Sequence, residues 1–311
     1  MYHRGMTRTN MDIPATCAWV TTLVLLCWLA FGASAPQAAP ATGNTSTSNV
    51  EPTLEVLVFS KTAGFRHASI PDGIKAIREL GRAGEKGVDG TTFKVTATED
   101  STIFNRDSLP GFDAVVFLST TGDILDQKQQ EAFEAYIRDG GGYVGVHAAA
   151  DTEYSWPWYG KLVGAYFKGH PRIQPADVIV EDRTHRSTRM LPGIWNRTDE
   201  WYVYRENPRA RVRVLASLDE TTYEGGGMNG DHPIAWYHEF DGGRSWYTGG
   251  GHTSESFREP LFRAHILGGI LWAADAKDVP PGRIREPAKD DDESPVDDVD
   301  EKRQSTSSSP G

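Results

Sequence analysis

Histidine is the residue that this chain places where chemistry could occur. Five of its nine histidines fall in predicted loops or at predicted strand ends: His67 in "KTAGFRHAS", His147 in "GGGYVGVHAAAD", His170 in "KGHPR", His232 in "GGGMNGDHP" and His252 in "YTGGGHT". Several adjoin glycine runs, which let backbone approach a ligand closely. Carboxylates lie near them: Asp151 and Glu153 follow His147, and Asp199 and Glu200 sit among aromatics in "NRTDEWYVY". Imidazole titrates near neutrality and also ligates metals, so imidazole beside carboxylate suits proton transfer or a divalent cation. No HxH or HExxH spacing occurs, and both readings stay open. Each group also has a plain alternative. A lone loop histidine is ordinarily a surface group, Asp199 could cap local backbone, and Glu200 could pair with Arg205.

The elements that must position these groups read as α/β. "LEVLVFS" is a short apolar run, followed by "SIPDGIKAIRELGRAG" with Ile70, Ile74, Ile77 and Leu80 at helical spacing, Ser69 as its N-cap and Pro71 in its first turn. "FKVTATED" and "DAVVFLS" read as strands, "DQKQQEAFEAYIRDGGG" as an amphipathic helix closed by glycine, and "YVGVHA" as another buried strand. Apolar strands separated by helices predict a doubly wound, flavodoxin-like parallel sheet covered on both faces. Beyond Asp151 the rhythm changes. "WPWYGKLVGAYFKGH" reads as helical, "ADVIVED", "VRVLASL", "PIAWYHEF" and "RSWYTGG" as successive strands, and "PLFRAHILGGILWAAD" as a closing helix. Strands without helices between them predict an antiparallel elaboration of the second half. Ligands in open α/β sheets bind at the carboxyl ends of the strands, where several of the histidines would lie.

The chain ends carry different signals. A basic start and the apolar run "ATCAWVTTLVLLCWLAFGASA" mark residues 1–35 as a signal peptide or N-terminal anchor, with 36–52 as a linker. Export to the periplasm or beyond is expected, with a membrane contact only where the apolar segment stays uncleaved. Cys17 and Cys27, the only cysteines, both fall in that segment, so the remaining chain has no cysteine nucleophile, disulfide or thiolate metal site. Residues 53–276 form the expected domain. Residues 277–311 read as an acidic, disordered tail that supplies much of the formal charge of −11 and argues against a nucleic-acid partner. "GGGYVG" precedes a strand rather than following one, so no dinucleotide fingerprint is present and NAD is not expected.

"VLVFSKTAGFRH", "GGGYVGVHAAAD", "TDEWY", "HPIAWYHEFDGGRSWYTGGGHT" and "GGILWAA", in that order, resemble the trehalose-utilisation (ThuA-like) family across nearly all of Leu54 to Asp275. That family is similar in fold to the class I glutamine amidotransferases, whose corner after this strand carries a cysteine nucleophile. Here the corner residue is His147, and the position of the amidotransferase histidine looks like His252, so glutaminase activity is not expected. The resemblance implies carbohydrate metabolism, on glycosides or disaccharides including 3-keto derivatives, in which a ketone acidifies the C2 proton so that a mild base can start elimination.

On that reading the expected catalytic residues are His147 as the base or a metal ligand that polarises the ketone, His252 as partner acid or second ligand, and Glu200 and Asp151 as the groups that orient them. His147 and His252 are also the candidate metal ligands, for a divalent cation as cofactor. Substrate contacts are expected from His67, Arg66, Trp156, Trp201, Tyr202 and His232, the aromatics stacking on a carbohydrate ligand. The alternative from another class is a carbohydrate-binding or assembly module without turnover.

Overall fold

The computed structural model describes residues 53–83 and 91–274. The expected signal or anchor, the linker, the acidic tail and both cysteines lie outside the described residues. Among the described residues no helix is long and apolar enough to cross a membrane.

The first half alternates as its hydrophobic pattern requires. Strand β1 (Leu54–Phe59) leads into helix α1 (Ile70–Ala83), followed by β2 (Phe93–Thr98), β3 (Ala114–Leu118), α2 (Gln127–Arg138) and β4 (Gly142–Val146). Every residue of β3 and β4 is buried, as expected of strands covered on both faces. Successive residues of β3 show this directly. The Phe117 ring stacks on Phe133 of α2, 5.4 Å between centroids, while Leu118 lies under Gly73 of α1. Helix α2 starts with a reciprocal cap: the Asp126 carboxylate accepts from Gln129 N–H and the Gln129 side chain accepts from Asp126 N–H. At α1 the Ser69 carbonyl accepts from Gly73 N–H, but the Ser69 hydroxyl donates to the Gly251 carbonyl, tying the helix to the loop where His252 sits.

After β4 come a 3-10 turn (His147–Asp151), helix α3 (Pro157–Val163), β5 (Phe167–Gly169), β6 (Gln174–Val180), β7 (Ile194–Asp199), β8 (Val203–Tyr204), β9 (Arg213–Leu218), β10 (His232–Phe240), β11 (Gly243–Thr248) and α4 (Pro260–Ala273). Three expectations are corrected here. The helix read through residue 170 ends at Gly164, whose φ of +97° breaks it, and Phe167–Gly169 is strand. His232 opens β10 instead of lying in a loop. The stretch containing Asp199 and Glu200 holds two strands, β7 and β8, that the sequence pattern did not announce.

Among the described residues nine strands form one sheet in the order β2-β1-β3-β4-β11-β10-β9-β6-β7. The first five are parallel and each later pairing is antiparallel. Four antiparallel steps separate β11 from β7, so β7 runs in the same sense as β4 and β11, and its carboxyl end reaches the same rim. In a flat sheet four steps would put β7 about 19 Å from β11. Yet the Asp199 carboxylate at the end of β7 accepts from Gly251 N–H just past β11 at 2.8 Å. The antiparallel half therefore curls back over the rim, helped by register shifts in β10 around Ala235 and by a short, three-residue β6–β9 pairing.

Candidate active site

The curl and the carboxyl ends of β1, β4, β7 and β11 bring four polar side chains together. One ligand atom from each of His67, His147, Glu200 and His252 lies within 4.8 Å of the others. Each comes from a different loop or strand end, so no short spacing motif in the sequence could have shown the group.

His147 sits on the corner after β4 with φ +52°, a left-handed conformation uncommon outside glycine. The strain is held by bonds on both sides of the residue. Its Nδ1–H donates to the Gly249 carbonyl at 2.8 Å, and its own carbonyl accepts from the Tyr247 hydroxyl at 2.9 Å. Because Nδ1 faces a carbonyl, it must carry the proton in the neutral ring, which leaves the Nε2 lone pair pointing into the cluster. Nε2 lies 3.2 Å from His252 Nδ1 and 3.5 Å from Glu200 Oε2. The Tyr202 ring packs against His147 with centroids 4.1 Å apart.

Glu200 joins the group through both oxygens. Oε2 lies 3.1 Å from His252 Nδ1, and Oε1 lies 3.1 Å from Nδ1 of the half-exposed His170. Burial pushes the Glu200 carboxyl up, but His147 and His252 outweigh it and hold the group well below the usual carboxylate range. The hydrogen bond to Glu200 in turn raises His252. His67 goes the other way: burial first, then the neighbouring His147 and His252, lower it to about 3, so it is neutral at ordinary pH. Its Nδ1 is buried without a hydrogen-bond partner among the described residues.

Behind the cluster lies a buried ionic brace. Asp199 Oδ1 accepts from the backbone N–H of Glu200 and of His252, and Oδ2 accepts from Gly251 N–H, the Ser256 hydroxyl and Arg197 Nη1. Arg197 also donates from Nε to Glu259 and from Nη2 to Ser256, with its guanidinium 4.5 Å from the centroid of the Phe262 ring. Burial raises the Asp199 carboxyl, and Arg197, His147 and the backbone donors reverse the shift. The glycines after β11 serve this brace: a Cβ on Gly250 would stand 2.6 Å from Arg197 Nη1, and Gly251 holds φ +112°. The close backbone approach expected at a ligand is made to Arg197 and Asp199.

The expected site residues separate accordingly. His147, His252 and Glu200 converge, and His67 joins them as a fourth member of the group. Asp151 stays outside: it accepts from the Tyr154 hydroxyl at 2.6 Å, and burial raises its carboxyl. Tyr202 lines the inner wall. Trp156 and Trp201 are core residues, their indole N–H groups committed to Glu134 and to the Gln174 carbonyl, so they offer no stacking face. His232 is fully buried, with Nε2–H donating to the Tyr202 carbonyl and Nδ1 close to Glu220 and Tyr223; it supports Tyr202 from behind. Arg66 is exposed and paired with Glu99. Arg205 lies over the Tyr154 ring, so the plain pairing of Glu200 with Arg205 does not form. The expected set omitted His170 and Arg197. Period-two alternation places Trp195, Arg197 and Asp199 on one buried face of β7, a signal that reading the stretch as a strand would have exposed.

The family model for ThuA, described as trehalose utilisation, matches residues 55–273. The chain belongs to the ThuA family. This ThuA protein is similar to two solved structures of ThuA-like proteins. One is from Bacteroides uniformis (24% identity, TM-score 0.58, covering 76% of this chain and 97% of that one). The other is from Parabacteroides merdae (19% identity, TM-score 0.60, covering 74% and 92%). At these identities they show the fold the ThuA protein shares. No curated protein matches it.

Proposed function

We propose that this ThuA protein is an exported enzyme of glycoside metabolism, a lyase or hydrolase on 3-keto-glycosides, with His67, His147, Glu200 and His252 as its reaction centre. The observation that carries this reading is the convergence of those four groups from four strand ends, with His147 held in a strained corner. Strain of this kind persists where surrounding bonds over-determine it, and it clusters at functional sites. The family's description as trehalose utilisation supports a sugar substrate. The parallel order β2-β1-β3-β4 supports a flavodoxin-like, amidotransferase-like core with histidine at the corner where those enzymes carry cysteine. The basic start and apolar run of residues 1–35 support export. Burial of Trp156 and Trp201 weighs against a binding module built on stacked tryptophans.

The base in this scheme is Asp151, from just outside the four-residue cluster, in place of His147, whose Nε2 faces His252 and Glu200. The raised Asp151 carboxyl sits one 3-10 turn beyond His147 and is better matched to proton removal than an ordinary aspartate. It takes the proton from C2, and the electron pair moves onto the C3 oxygen, whose negative charge the histidine cluster stabilises. The enolate then reforms the ketone, a C1–C2 double bond appears, and the C1 substituent leaves with the proton that Asp151 returns. The products together contain every atom of the substrate, and later addition of water to the double bond would make the net reaction a hydrolysis.

The test is release of nitrophenol from a nitrophenyl 3-keto-glucoside, and of 3-keto-sugar product from 3-keto-trehalose, by the purified full chain. Turnover that falls at least about 100-fold in both Asp151→Asn and Glu200→Gln is expected. A folded parent that releases no product above the buffer rate from either compound would sink the reading.

A further inference from the structure

We infer that the cluster of His67, His147, Glu200 and His252 is a binding site for one divalent first-row transition-metal ion, with zinc as the reference ion. This names what the proposed reaction centre holds. It is read out by metal content instead of turnover, so either reading can fail without the other.

The first argument is the spacing of the donor atoms. His147 Nε2, His252 Nδ1 and Glu200 Oε2 form a triangle with edges of 3.1, 3.2 and 3.5 Å. Four ligands placed tetrahedrally at zinc bond lengths of about 2.0–2.1 Å stand about 3.3 Å from one another. The three atoms thus already stand at the edge length of a zinc coordination polyhedron. His67 brings a ring nitrogen within 4.8 Å of all three.

The second argument is the outer shell. Metal-bound histidines ordinarily donate their other N–H to a carbonyl or carboxylate, which fixes the tautomer and the ring. His147 does this through Nδ1–H to Gly249, so its lone pair is aimed into the cluster without rotation of the ring. Asp199 holds the backbone of both Glu200 and His252, and His170 engages the Glu200 oxygen that the triangle leaves over. Two ligands are thereby fixed to each other through one buried carboxylate.

The third argument is the unpartnered His67. A buried polar atom without a partner costs about 1–3 kcal/mol, and His67 Nδ1 is such an atom, on a ring whose centroid lies 4.8 Å from that of His147 and 5.0 Å from that of His252. A cation that drew in this ring would give the imidazole a role that no side chain fills. Three imidazoles and one carboxylate suit zinc, iron, cobalt or nickel; magnesium and calcium prefer shells of oxygen.

The experiment is metal analysis of the full chain carrying no polyhistidine tag, then chelation and titration with Zn2+, Co2+ and Mg2+ separately, with folding followed by circular dichroism. One Zn2+ per chain is expected, together with a visible Co2+ absorption band and no comparable Mg2+ binding. His252→Ala and Glu200→Gln should each weaken Zn2+ binding by more than about 100-fold, whereas His170→Ala, in the outer shell, should weaken it about 10-fold. His252 is partly exposed, which favours a folded variant. A folded parent that binds no Zn2+, Zn2+ binding unchanged in both folded ligand variants, or Mg2+ bound as tightly as Zn2+ would each overturn the inference.

Discussion

The Asp199 carboxylate accepts the backbone N–H of His252 at 3.1 Å, joining the end of the outermost antiparallel strand to the loop behind the central one. This contact and its Arg197 partner hold two members of the reaction centre in register. Replacing Asp199 with Asn removes the charge opposite a buried arginine. A stability loss of about 3 kcal/mol in urea denaturation is expected, because a broken buried pair leaves its partner uncompensated. Unchanged stability would mean that Glu259 alone satisfies Arg197.

The corner at His147 separates stability from function. His147→Ala and His147→Gly both remove the imidazole, and both should abolish turnover. They should differ in stability, with the glycine variant more stable by about 1 kcal/mol, since only glycine takes φ +52° without a side-chain penalty. Thermal melts of the two variants compare them directly. Equal melting temperatures would show that the corner relaxes once the ring is gone.

His232 acts on the centre through Tyr202. Truncation in His232→Ala leaves the Tyr202 carbonyl without its donor and should cost about 1–3 kcal/mol. His232→Gln can place an amide N–H near the lost Nε2 and should recover part of both stability and turnover. If Ala and Gln variants are equally impaired, the ring's shape matters more than its hydrogen bond.

Acid should weaken the fold through histidines remote from the centre. Burial lowers His265 to about 3 and His185 to about 4, while an unfolded histidine titrates near 6.5. The unfolded chain therefore binds more protons between these values. Stability is complete above about pH 6.5 and falls as the pH drops toward the folded values, by at most about 1.4 kcal/mol per pH unit for each group. Urea midpoints between pH 7.5 and 4.5 should fall less steeply in His265→Asn, whose amide can still donate to the Ser187 carbonyl. An identical slope in the variant would remove His265 from the account.

The parallel half was legible because its central strands β3 and β4 are uninterrupted apolar runs and α1 and α2 repeat their apolar residues at helical spacing. His147 was legible for the same reason, since it directly follows β4, and His252 was legible from the glycine run that precedes it. Glu200 was identified only by its residue type. Its place at the centre depends on β7 and on the curl of the antiparallel half, which arises from long-range pairings and local register shifts that leave no periodic trace. The tryptophans misled for a related reason. Trp156 and Trp201 stand beside polar residues in sequence, but their neighbours in space are core side chains, and their indole nitrogens are satisfied by distant partners. The segments outside 53–83 and 91–274 leave the expectations for the two chain ends where the sequence put them.

The strand order also bears on how the chain folds. Among the described residues β11 is the last strand in chain order, yet it lies between β4 and β10 near the middle of the sheet. A chain that formed the flanking strands before β11 docked would carry unpaired edges at β4 and β10, the two strands that β11 joins. Such edges invite pairing with other chains, so the interval before β11 docks is when this fold is most open to aggregation.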